Sequence, residues 1–446
     1  MKAFFSRSLL LVGLIFSLSS VSADEATIPQ YSKDKHLGVG SCSNSTCHGS
    51  IQSWKKSNIL QNEYITWTKE DNHSRKAYSV LTNKLSKRIV RNLGLKDPAH
   101  EAKICLDCHA DNVPTDVRGE RFDIADGVGC EACHGGSERW IESHTSSNTT
   151  HEENIKNGLY PTDDPVARAT LCYSCHFGDS NKLVTHRIMG AGHPRIRFEL
   201  DTFTATQPAH YEIDEDYRKR KPVFSGVKIW AIGQAIGMRT NLDLLMDPKR
   251  GRDGIFPELV LFDCHACHKS MDKASWRARS STGLPPGVVR FNDANFIMLR
   301  HIVKVVDAGL GEKLRTETRA LHRSVINGNA AVKRAAIAVR ATTEKSIKKI
   351  AKHDFSNADI VAILKSIIAE GLKGELRDYA SAEQTMMAAN NVVVVLDNTK
   401  AISEAQLNVL NKALDKMFEV TKSDKVYNPG KFSAALKSLK SAIPKI

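Results

Sequence analysis

Beyond about residue 302 the apolar positions fall with a helical period. Ser356-Asn357-Ala358-Asp359 reads as a capped start, followed by Ile360, Ile363, Leu364, Ile367 and Ile368 at i, i+3, i+4, i+7 and i+8. Ser403 to Gln406 gives a second such start, before Leu407, Leu410, Leu414, Met417 and Phe418. Asn428-Pro429-Gly430 reads as a turn before a last short helix. The pattern predicts about five or six helices packed as a bundle over 301–446. From about 30 to 300 the pattern is broken: Gly, Pro, Asp and Asn separate short helical stretches, and little sheet is expected. At the start, Lys2 and Arg7 form a positive segment before an apolar run from Leu9 to Leu18, and Val21-Ser22-Ala23 is a small-residue cleavage site. The run is too short to span a bilayer. A signal peptide over 1–23 is expected, and with it export to the periplasm.

Composition changes this picture in two ways. The chain has a formal charge of +13, and the signal peptide holds two of the positive groups. Such a balance points to nucleic acid or an anionic surface, and export excludes nucleic acid. The tail from 301 carries 24 Lys/Arg against 15 Asp/Glu. It is either a solvated face of a structural bundle or a docking face for an acidic redox protein or an anionic membrane. The second change comes from the ten cysteines, which all fall into close pairs. An exported chain invites a disulfide reading, but C-x-x-C is too short a span to staple separate parts of a fold.

The residue after each pair decides between the readings. The pairs read CSNSTCH, CLDCH, CEACH, CYSCH and CHACH, so a histidine follows the second cysteine every time. With 17 histidines in 446 residues, five such coincidences have a chance probability on the order of 10⁻⁷. Zinc has no need of a histidine in that place. C-x-x-C-H attaches c-type haem: each thiol adds to a porphyrin vinyl group, and the adjacent histidine is aimed at the iron. The expected thioether positions are Cys42, Cys47, Cys105, Cys108, Cys130, Cys133, Cys172, Cys175, Cys264 and Cys267. The expected proximal ligands are His48, His109, His134, His176 and His268. The first motif has four residues between its cysteines, and an outward bulge there still brings both sulfurs to one porphyrin edge. Five haem c groups add roughly ten negative charges through their propionates and offset most of the basic excess.

A second axial ligand on each iron makes a carrier, and a missing one leaves a reactive site. The leading distal candidates are His73, at a helix start that Asp71 or Asn72 could cap, His144, after the Gly135-Gly136 turn, and His193, between Gly192 and Pro194. His100, His210, His301 and His36 follow. His186 and His151 rank below them, His265 is expected to face solvent, and His322 and His353 are expected at the surface.

On these motifs the chain resembles the cytochrome c-554 family of multihaem cytochromes. The likeness runs from about 36 to 215, in the order SCSNSTCHGSIQSW, DNHSRKAY, CLDCH, GVGCEACHGG with ESH, and CYSCH. It implies that His73 and His144 are distal ligands and that the haem of the second motif lacks a strong one. His100, just before that motif, stands against an open site. The longer first loop, the added CHACH motif and the cysteine-free tail all depart from the family.

The expected fold is mainly α: a haem-organised, pentahaem domain of short helices and long loops over 24–300, then a basic helical bundle over 301–446. The expected function is a periplasmic five-haem cytochrome that transfers electrons between redox protein partners, with no side chain doing bond chemistry. The alternative is a reductase or oxidoreductase acting on a small nitrogen or sulfur oxo-compound at one open haem. A peripheral membrane contact stays open beside protein partners.

Overall fold

The computed structural model describes residues 26–55, 57, 59–268, 279–285 and 287–444. The expected signal peptide lies outside the described residues. The chain is mainly α. Among the described residues the only strands are Arg252–Asp253 and Phe256–Pro257, which pair antiparallel as a small hairpin.

The first part of the chain, up to about residue 165, is short helices and loops with little apolar core. Two small clusters serve it, one around Leu81 and Leu106 and one around Ile89, Leu93 and Ile188. Buried polar groups do much of the remaining work. Glu131 is 2 % exposed. Its carboxylate accepts from the backbone of Leu37, Gly38 and Ser137 and from the Ser137 hydroxyl. Gly135 has φ 86°, and a Cβ there would sit 2.3 Å from the Gly158 carbonyl. That explains a glycine directly after His134.

A single large core runs from Val166 to Leu439. At its centre is the helix Gly226–Met246, with Val227, Trp230, Ile232, Ile236, Met238 and Leu242 fully buried. The broken pattern predicts only short helices in this stretch. This helix of 21 residues is apolar nearly all round, so it shows no one-sided stripe in sequence. It packs against Asn329–Lys352, Ala294–Val306, Tyr379–Asn398 and Pro165–His176. The helix carrying the fourth motif therefore shares a core with the tail.

The tail helices are Ala308–Ser324, Asn329–Lys352, Asn357–Leu372, Tyr379–Asn398, Glu404–Thr421 and Pro429–Ala442. Both capping boxes form: Ser356 with Asp359, and Ser403 with Gln406. Asn428 caps the last helix, with Pro429 in its first turn, so this segment begins the helix directly rather than turning before it. A buried ion network joins the bundle to the fifth motif. Arg279 bonds Asp293 at 2.6 and 2.9 Å and Asp378 at 3.1 Å. Arg290 bonds Asp378 and also Asp263, the residue before Cys264, at 2.8 Å. No helix among the described residues is long and apolar enough to cross a membrane.

Candidate haem centres

Four motifs sit on helices: Lys103–His109, Cys130–His134, Pro165–His176 and Cys264–Cys267. Cysteines three apart, with a histidine one residue later, share one helix face. The helical bond from the histidine N–H to the first cysteine carbonyl closes the unit, as from His268 to Cys264 at 2.8 Å. The first motif keeps this bond despite its longer loop. His48 N–H reaches the Cys42 carbonyl at 3.2 Å. The extra residues bulge out through a turn in which Asn44 accepts from Thr46 and Cys47.

Each motif histidine faces a histidine from elsewhere in the chain. The ring centroids are 6.2 Å apart for His48 and His144, 6.4 Å for His109 and His193, and 6.2 Å for His134 and His210. They are 6.0 Å apart for His176 and His73, and 6.1 Å for His268 and His186. Two imidazoles each bonded to one metal at about 2 Å have centroids roughly 6 Å apart. The five pairs therefore fit one six-coordinate iron each, and the chain's donor set fits haem c at every motif.

Hydrogen bonds on Nδ1 hold half of these rings and leave Nε2 available as the ligand atom. His48 Nδ1 meets Glu63 at 3.0 Å and His73 Nδ1 meets Asp71 at 2.9 Å. His109, His144 and His193 donate to the carbonyls of Ala77, Ile141 and Pro194 at 3.0, 2.6 and 2.8 Å. Such outer partners fix the tautomer and raise ligand basicity. Hydrogen bonding to Glu63 raises the pKa of His48, and Asp71 does the same for His73. Burial pushes His134 and His176 down to about 4, which keeps both neutral, the form that binds metal.

The other candidates lie elsewhere. His36 is fully buried with Nδ1 on Asp111 at 2.7 Å. His100 stands against Tyr78 and Glu101. His301 is buried in the bundle, beside Ser366. His151 meets Asp163. His322, expected at the surface, is buried against Asp293, and His353 packs on Phe355. His265, expected to face solvent, meets Tyr379 and Tyr427. The Asp71 side chain accepts from His73 N–H, while Ser74 stands at the start of the short helix Arg75–Ser79 and donates its hydroxyl to the Asp71 carbonyl, so neither Asp71 nor Asn72 caps that helix. His186, ranked low from sequence, begins a short helix after Thr185, whose hydroxyl accepts from Ile188 N–H. A cap followed at once by histidine is the signal that could have raised it.

The motifs adjoin one another. Cys42 contacts Cys130, joining the first to the third, and Cys108 contacts Cys175, joining the second to the fourth. Cys133 lies within the field of Cys172 and Cys175, joining third to fourth. A cavity of about 370 Å³ is lined by His176, His193, Cys264 and His268 and so joins the fifth motif to the second and fourth. Cys47 and Cys267 are exposed, and the other eight cysteines are half-buried.

Attachment motifs on helices and imidazole pairs spaced for iron define a c-type cytochrome, a haem-based electron-transfer protein. The family model described as cytochrome c554 and c-prime matches residues 41–135, the stretch holding the first three motifs, and over that segment the chain is similar to this family. Covalently bound haem c follows from it. Comparison with curated proteins and with solved structures finds no match.

Proposed function

We propose that the protein is an exported, periplasmic five-haem carrier that passes electrons between two redox proteins. The observation that carries this reading is that all five motif histidines face a second histidine at 6.0 to 6.4 Å. Paired imidazoles fill both axial positions and leave no place for a substrate. The family resemblance allows an open iron at the second motif, and His193 opposite His109 speaks against it. Five haems bound at these motifs supply one-electron chemistry and, in the order first, third, fourth and fifth, a route across the protein.

The exposed cysteines of the first and fifth motifs favour these as the two ends of the route. Exposed apolar side chains stand beside each: Ile51 and Trp54 near the first, Ile255 and Phe256 near the fifth. Haem propionates offset most of the basic excess, so the matching partner faces are apolar. The small core before residue 165 also suits a domain whose interior is largely porphyrin.

The test is the visible spectrum of the dithionite-reduced protein with and without carbon monoxide. An unchanged spectrum is expected. A shift amounting to one haem in five would make an open iron, and the reductase reading would replace this one.

A further inference from the structure

The cavity beside the fifth motif is closed on its far side by the C-terminal helices. Tyr379 and Ala380 line it from the start of Tyr379–Asn398, and Asp424 lines it from a later loop. Among the described lining residues Arg195 is the only lysine or arginine. It sits in the loop just after His193, and its side chain is only 26 % exposed. Its position is fixed from two sides. The guanidinium donates to Glu383 at 2.8 Å and lies 4.9 Å above the Tyr379 ring. Glu383 and Tyr379 stand one turn apart on the same helix, and the Tyr379 hydroxyl also reaches Glu383 at 3.3 Å.

Charges of both signs line the cavity. Arg197 also approaches Glu383, at 3.7 Å, so two cations share one carboxylate. Asp263 and Asp424 also line the cavity, and Arg290 is shared between Asp263 and Asp378. Among the described lining residues Arg195 is therefore the cation placed to meet an anionic haem edge. A haem presents two carboxylates, and an anionic edge beside a fixed guanidinium is a charge-assisted pair. A fixed cation near an iron also favours the reduced form, which carries one positive charge fewer.

We propose that Arg195, clamped by Glu383 and Tyr379 of the C-terminal helices, is the charge partner of the fifth haem and raises its reduction potential. On this account the bundle is a working wall of the fifth site. The proposal rests on the reading that Cys264, Cys267 and His268 carry a haem. Arg195 is a positioning and tuning residue, since it acts through the haem.

The experiment is a potentiometric titration of the full-length holoprotein followed by its visible spectrum. The fifth haem is assigned by its loss in a C264A/C267A variant. R195Q is expected to lower one of five potentials, by about tenfold in the reduction equilibrium, about 59 mV for one electron. R195K is expected to restore most of it. E383Q removes a negative charge and is expected to move the same potential upward. A purely structural ion pair predicts lower thermal stability in both variants with no shift of potential, and that result would overturn the proposal. So would shifts of the same sign, or a shift in another haem. Mass spectrometry of the parent protein separates the two failures. Four haems there would remove the fifth site itself, whereas five haems with unmoved potentials would remove only the role of Arg195.

Discussion

On the proposed reading, His186→Ala removes the sixth ligand of one iron. His186 is the first residue of the helix His186–Gly190, whose start depends on main-chain groups. Thr185 caps Ile188 N–H, and Glu258 accepts from His186 N–H at 2.8 Å. Neither bond uses the imidazole, so the helix start is expected to survive the substitution. Cys264, Cys267 and His268 are untouched, and the mass should still show five haems. Removing a ring whose centroid lies 6.1 Å from that of His268 leaves a gap on one side of one iron. The reduced variant should therefore bind carbon monoxide at one haem in five, giving a difference spectrum about a fifth as large as that of a fully five-coordinate pentahaem protein. The parent should bind none. Equal carbon monoxide uptake by parent and variant, at any level, would refute the assignment of His186 to the fifth motif.

Asp71 bonds His73 Nδ1 and its carboxyl is held down to about 2. D71N should raise the potential of the haem at Cys172 and Cys175, because the His73 ligand loses an anionic partner; potentiometry against a C172A/C175A variant checks it. Arg279→Ala strands Asp293 and Asp378 without their main cation and should cost about 3–5 kcal/mol by urea unfolding read from helix circular dichroism. Arg279 and His322 hold the Asp293 carboxyl well below the usual range although burial opposes them. Its stabilisation should be fully present above about pH 4 and fade as the pH falls below that, so acid unfolding of D293N should be shallower there. Electron transfer to an acidic redox protein should slow as salt rises, measured by stopped flow; an unchanged rate would count against docking on the basic face.

The parts of the structure that were legible in sequence are those with local causes. A cysteine pair with its histidine is a contiguous chemical unit, and the caps at Ser356 and Ser403 are set within four residues. The long helix Gly226–Met246 escaped because a helix buried on every side has no polar face to give it a period. The histidine pairs are the opposite of local. His186 meets a motif far downstream, and His73 meets the fourth motif across the second and third. Nothing near those residues records their partners. His36 shows the reverse hazard: it precedes the first motif, yet all five motif histidines face other rings. Arg195 carried no sequence signal either, since Glu383 and Tyr379, which fix it, lie in the tail.

The most direct test of the central claim combines an intact mass with electron paramagnetic resonance of the oxidised holoprotein. The expected result is five covalent haems, with every iron low-spin and a spin count equal to the haem count. Fewer than five haems, or a high-spin signal accounting for one iron, would contradict an account in which five paired histidines close five irons.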